Sequence, residues 1–223
     1  GFTFKVENAN INRAEGLGDQ STRELLAVAD FTGDGKEDLV LRDTGSGYTF
    51  IMPSAELTNL VGLGERSNFT LEGVGDFDSD SAADLLWRFN ANDYLFWMEG
   101  ENPAALHGLG IQPGREVLAI GDLTGDGGDD IVIRDLASGY TFYADDGDIG
   151  ALHGLGIRGS DSFLALFDAG GNGAADLLFR NETTGFTYFI SEGDPSLLTG
   201  LGDMSDILLL GVTDPTGLNV AEA

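Results

Sequence analysis

The chain has 223 residues, 42% of them hydrophobic, with 34 glycines and no cysteine, which allows a packed core rich in turns and excludes disulfide frameworks and thiolate metal sites. Its 38 acidic and 11 basic side chains give a formal charge of -27, which repels a phosphate backbone and excludes nucleic acid as a partner. No run of eighteen apolar residues and no basic start followed by an apolar stretch occurs, so no membrane insertion is expected and these residues include no signal peptide, a cleaved signal staying open.

The first expected strand is Gly1 to Glu7 (GFTFKVE), in phase with Gly47. Beyond it a repeat begins. Gly-Leu-Gly recurs at Gly16, Gly62, Gly108, Gly154 and Gly200, each copy 46 residues after the last. Asp30, Asp76, Asp122 and Asp168 keep the same spacing, as do Arg42, Arg88, Arg134 and Arg180. Within the first unit, Glu24 to Ala29 (ELLAVA) reads as an inner strand buried on both faces, and Asp38 to Arg42 (DLVLR) as a second strand. Gly47 to Met52 (GYTFIM) alternates as a third strand, and a weaker run at Leu57 to Val61 is a fourth, ending at a Gly-Leu-Gly turn. No segment has the period of a helix. Four short strands per unit of this length specify an all-β propeller of about five blades rather than a helical solenoid. A single domain over 1–223 is expected, with units at about 24–69, 70–115, 116–161 and 162–207. Segments 1–23 and 208–223 share the closing blade, where Gly1 to Glu7 pairs with Ile207 to Gly211 (ILLLG).

Between the first and second strands lies an Asp-rich loop. The first copy places Asp30, Thr32, Asp34 and Asp38 at positions one, three, five and nine, with the Lys36 carbonyl at position seven. Ca²⁺ takes six to eight oxygen ligands, and oxygens at alternate positions of a tight turn supply them. The second loop offers Asp76, Asp78, Asp80, Asp84 and the Ala82 carbonyl. The third offers Asp122, Thr124, Asp126, Asp130 and the Gly128 carbonyl. The fourth retains Asp168, Asn172, Asp176 and the Ala174 carbonyl, with Gly170 in place of a ligand at position three, and is expected to bind most weakly. The fifth has Leu218 at position five and is expected to stay empty. An EF-hand is excluded, because position twelve is Leu41, Trp87, Ile133 or Phe179 instead of a bidentate Glu. About four Ca²⁺ ions are therefore expected.

The loops Asp30 to Asp38 and Asp76 to Asp84, followed by "DLVLRD" and "DLLWRF", resemble FG-GAP or VCBS-type repeats. The resemblance covers nearly the whole chain. It implies a calcium-stabilised propeller, as in integrin α-subunits, fungal propeller lectins and modules of bacterial surface proteins, in a secreted or cell-surface setting.

No nucleophile elbow or zinc-protease motif is present, so no enzyme is expected. His107 and His153 share the context "ALHGLGI" and read as loop or outer-strand residues. The four aligned arginines read as partners of carboxylates beside the metal loops, with ligand contact in an interblade groove as the alternative, and Trp87 and Trp97 as core residues with an open alternative for Trp97. The expected function is calcium-dependent recognition, lectin-like, with glycans stacking on Tyr48, Trp97, Tyr140 and Tyr188 in clefts between blades. The alternative is a protein-interaction or adhesion domain with an extracellular protein ligand.

Overall fold

The computed structural model describes residues 2–6, 14–100, 102 and 104–206. Strands β1 (Phe2–Val6) and β2 (Ala14–Asp19) form a two-stranded antiparallel sheet. The first complete sheet consists of β3 (Arg23–Ala29), β4 (Asp38–Asp43), β5 (Tyr48–Met52) and β6 (Val61–Glu65). The second contains β7 (Phe69–Gly75), β8 (Asp84–Phe89), β9 (Tyr94–Met98) and β10 (Leu106–Ile111). Next come β11 (Arg115–Gly121), β12 (Asp130–Asp135), β13 (Tyr140–Ala144) and β14 (Leu152–Ile157). The last is built from β15 (Asp161–Phe167), β16 (Asp176–Asn181), β17 (Phe186–Ile190) and β18 (Leu198–Asp203). In each sheet the strands neighbour one another in chain order, every pair antiparallel, so one repeat makes one propeller blade.

The fold class is therefore the expected all-β propeller, but with four complete blades among the described residues where about five were expected. The remaining sheet is half a blade. Phe2 pairs with Asp19 and Phe4 with Gly16, as Tyr48 pairs with Glu65 and Phe50 with Gly62, so β1 and β2 correspond to third and fourth strands. The expected partner Ile207 to Gly211 lies outside the described residues. It corresponds in phase to a first strand, and in every complete blade the third strand pairs with the second.

Three sequence expectations change at the level of the strand. Gly-Leu-Gly is no turn but the body of the fourth strand: Leu63, Leu109 and Leu155 are buried, and the second glycine takes positive φ (Gly64 +87°, Gly156 +92°) at a bulge that shifts the register. The first strand is not buried on both faces, since Leu25 and Val28 of β3 are 54% and 47% exposed. It lies at the sheet edge, whereas the second and third strands are flanked on both sides and hold the core. The arginines do not serve the Asp-rich loops. They sit at the opposite end of the second strand, where Arg88 pairs with Glu72 at 2.5 Å and Arg134 lies 3.6 Å from Glu116.

The chain divides into two compact units, Gly1–Asp76 with Asp80–Ile111, and Gln112–Ala223 with Phe77–Ser79. In the first, Phe31, Val40, Ile51 and Leu63 pack against Leu85, Trp87, Phe96 and Met98. In the second, Leu123, Val132, Tyr143 and Leu155 pack against Leu177, Phe179, Tyr188 and Ile190. Each residue of the second core stands 92 positions after its counterpart in the first, so the packing unit is a pair of blades. Side-chain to main-chain bonds repeat likewise: Arg42 donates to the Phe69 carbonyl at 2.9 Å and Arg134 to that of Asp161 at 2.8 Å. The hairpin before β13 depends on Gly139 at φ +72°, where an added Cβ would lie 2.6 Å from the Gly159 Cα. Gly139→Ala is expected to cost about 1–3 kcal/mol in urea unfolding, because a forced φ and a backbone clash coincide.

Candidate functional site

The Asp-rich loops fold alike. The position-one carboxylate accepts backbone N–H groups four and five residues on: Asp34 (3.1 Å) and Gly35 (2.6 Å) for Asp30, and Asp80 (3.0 Å) and Ser81 (2.8 Å) for Asp76. Asp122 receives Asp126 (3.2 Å) and Gly127 (2.9 Å); Asp168 receives Asn172 (3.2 Å) and Gly173 (2.9 Å). This wrap requires left-handed backbone at positions four and six. Glycine supplies it in three loops, while Ser79 (φ 60°) and Ser81 (φ 73°) adopt it in the second. Backbone donation, that of Gly173 foremost, holds Asp168 below the ordinary carboxylate range.

Position five caps the turn: Asp34, Asp80, Asp126 and Asn172 each accept from the N–H two residues on, at 2.7 to 3.2 Å. Position nine, the first residue of the second strand, is the buried anchor. Asp38 and Asp130 have no exposed surface, and Asp84 and Asp176 are 1% and 3% exposed. Asp38 accepts from Phe31 (2.9 Å), Thr32 (3.0 Å) and Ser54 (2.5 Å).

The last of these donors belongs to a turn that sequence reasoning missed. Sixteen residues after each position-nine aspartate, Ser54, Gly100, Asp146 and Glu192 donate their N–H groups to Asp38, Asp84, Asp130 and Asp176. All four have positive φ, from 20° to 53°, which turns the amide inward. Their side chains extend the loops: Ser54 Oγ donates to Asp34 Oδ2 at 3.2 Å, and Asn172 Nδ2 donates to Glu192 Oε1 at 2.7 Å. The signal was the 46-residue spacing itself, but no shared residue type marks it.

The second loop comes closest to a coordination sphere. Ligand oxygens of Asp76, Asp78 and Asp84 all lie within 4.8 Å of one another, the one such group among the described residues. Oxygens each 2.3–2.6 Å from a common Ca²⁺ would be separated by no more than about 5 Å, so this donor set fits the ion. Asp80, expected as a fourth carboxylate, is outside that group. In the first loop Thr32 Oγ1 lies 3.5 Å from Asp30, and Asp34 is engaged by Lys36 and Ser54; Thr124 holds position three of the third loop and Gly170 that of the fourth. Lys36, Ala82, Gly128 and Ala174, at position seven of their loops, are the residues whose N–H groups donate to the position-five side chains. Neighbouring loops are tied together within each unit, Ala83 N–H to the Asp30 carbonyl at 2.7 Å and Ala175 N–H to that of Asp122 at 2.6 Å.

Burial drives the Asp130 pKa up to about 7, with the nearby charge of Asp145 adding to it and N–H donation from Asp146 and Leu123 opposing it. The folded value lies above the unfolded one, so the protonated form stabilises the metal-free fold at low pH. That contribution is lost as pH rises through about 7. Chelator-treated protein is expected to lose melting temperature between about pH 4 and 7 and to level off above, and Asp130→Asn to remove that slope. An unchanged slope in the variant would place the titration elsewhere.

The expected recognition residues divide. Tyr48 and Tyr140 are 47% and 43% exposed, whereas Trp97 and Tyr188 are buried at 5% and 4% and offer no face to a sugar. Trp97 lies under His107, ring centroids 3.7 Å apart, and Tyr188 fills the second core. The exposed aromatic position of the repeat is instead Tyr48, Tyr94, Tyr140 and Phe186, at the start of each third strand. The histidines are outer-strand residues: His107 bonds Glu99 at 2.9 Å, and His153 stacks on Tyr143 with centroids 4.9 Å apart.

No family model and no curated protein matches the chain. Among solved structures it is similar to BBS1N in a crystal structure of its complex with ARL6DN, soaked with mercury, at 13% identity and a TM-score of 0.45 over 78% of this chain. It is also similar to a chain of a nidogen/laminin complex, at 9% identity and a TM-score of 0.44 over 89% of this chain and 87% of that one. The chain spans half the length of the first.

Proposed function

We propose that this chain is a non-enzymatic, calcium-loaded recognition module of the FG-GAP or VCBS type, working outside the cell. The gathering of Asp76, Asp78 and Asp84 oxygens within 4.8 Å carries the reading. The other three loops share its backbone wrap and buried anchor, and each takes an ion according to its remaining oxygens. Calcium holds the loops between first and second strands, and the exposed aromatic row then meets the ligand. A glycan is the leading ligand class. A protein ligand is the second reading, favoured by exposed apolar side chains on the outer strands such as Ile111 (59%) and Ile157 (76%).

Calcium titration calorimetry on wild type and Asp78→Ala tests the module. The variant is expected to lose one ion of the wild-type stoichiometry and keep the others. Equal stoichiometry in both proteins, or no heat in either, overturns the reading.

A further inference from the structure

In the first blade a surface depression of about 370 Å³ is lined by Arg23, Asp43, Ser46, Tyr48, Phe50 and Gly62 among others. Its volume falls at the lower end of the roughly 300–1,000 Å³ of small-molecule sites. The Tyr48 ring crosses Gly62 so closely that an added Cβ would overlap its hydroxyl, leaving the ring supported from below and 47% exposed. Arg23 lies over Phe50, 4.8 Å from the ring centroid, and donates Nη1 to Gln20 at 2.8 Å. That contact occupies one of a guanidinium's five N–H donors. Asp43 Oδ1 is taken by Ser46 N–H and Oγ, at 2.8 and 2.7 Å, which fixes the carboxylate in place.

The third blade carries the same residues 92 positions on, as Arg115, Asp135, Ser138, Tyr140, Phe142 and Gly154. The geometry repeats with them. Arg115 lies 5.2 Å from the Phe142 centroid and bonds Gln112, the counterpart of Gln20. Asp135 Oδ1 accepts from Ser138 N–H and Oγ, both at 2.8 Å, while Oδ2 remains in a loose 3.8 Å contact with Arg115 Nε. Tyr140 crosses Gly154 as Tyr48 crosses Gly62. The other two complete blades break the set: Phe69 and Phe89 replace the Arg–Asp pair in the second, and Asp161 and Asn181 in the fourth.

We propose that the first-blade depression and the matching residue set of the third blade are two equivalent binding sites for neutral pyranoside sugars, a proposal that rests on the recognition-module reading and locates its ligand. A sugar ring has an apolar face that stacks on a supported tyrosine, and vicinal hydroxyls that both donate and accept. A fixed carboxylate beside guanidinium donors complements such hydroxyls. An anionic ligand fits less well, since the charge of an aspartate stands near each arginine and the chain carries a charge of -27. Two weak sites on one chain gain avidity for a branched or clustered glycan.

The test is saturation-transfer NMR and calorimetry on the full chain in calcium, using the methyl glycosides of mannose, galactose and N-acetylglucosamine, with acetate as the anionic control. At least one glycoside is expected to bind at two sites, with a dissociation constant on the order of 1 mM, as one stacked ring supplies. Tyr48→Ala and Tyr140→Ala should each remove one site and the double variant more than tenfold of the affinity, while Tyr94→Ala, lacking the Arg–Asp pair, changes nothing. Silence from all three glycosides, binding that survives the double variant, equal loss in Tyr94→Ala, or binding of acetate alone overturns the proposal. The calcium-induced melting shift, read on the same samples, reports separately: glycoside silence with that shift intact overturns the sugar sites only, and absence of the shift overturns the calcium module.

Discussion

Removing calcium with a chelator is expected to lower the melting temperature by roughly 5–10 °C for every site that was loaded. An ion that binds only the folded state stabilises it by RT ln(1 + [L]/Kd), about 2.7 kcal/mol per site at a hundredfold excess, and one kcal/mol is about 2–4 °C for a chain of this size. Physically, the ion removes repulsion among carboxylates that the fold forces together, most acutely at Asp76, Asp78 and Asp84. Loss should begin at the fourth loop, whose charged ligands are Asp168 and Asp176 alone. Differential scanning calorimetry across a calcium series measures it. A melting curve indifferent to chelator, with less than one ion per chain by metal analysis, would sink the calcium reading.

Asp38→Ala is expected to destabilise the chain by about 3–5 kcal/mol even in the presence of chelator. Asp38 is fully buried and accepts from Phe31, Thr32 and Ser54, so its removal leaves three amide donors without an acceptor, at about 1–3 kcal/mol for each that water cannot reach. The Asp-rich loop and the turn after the third strand would separate together. Asp38→Asn, which keeps one carbonyl acceptor, should cost clearly less. Urea unfolding with and without calcium distinguishes the roles: if the Ala variant matches wild type in chelator, Asp38 is a metal ligand and not a structural staple.

The repeat, the strand order and the loop positions were legible in the sequence because each depends on local periodicity. Alternation in Gly47 to Met52, the Asp38 to Arg42 run and the 46-residue recurrence locate the second strand (Asp38–Asp43) and the third (Tyr48–Met52) to within a residue, whereas the fourth, expected at Leu57 to Val61, is Val61–Glu65. The spacing of the loop aspartates is equally local, since nine consecutive residues make the loop. What tertiary structure decided was which copies of a repeated position meet what. Trp97 and Tyr188 look like sugar platforms in sequence, yet both are packed away, while Tyr48 and Tyr140 stay open because a glycine of the next strand lies beneath each ring. The Gly-Leu-Gly signal marked the period but not its role, as only pairing with the third strand shows it to be a bulged strand. Ser54, Gly100, Asp146 and Glu192 have no side-chain chemistry common to all four, and what recruits them to the Asp-rich loops is a positive φ and an inward N–H. The pairing of blades into 92-residue units likewise depends on which side chains pack across from one another, a relation set by contact rather than by sequence spacing.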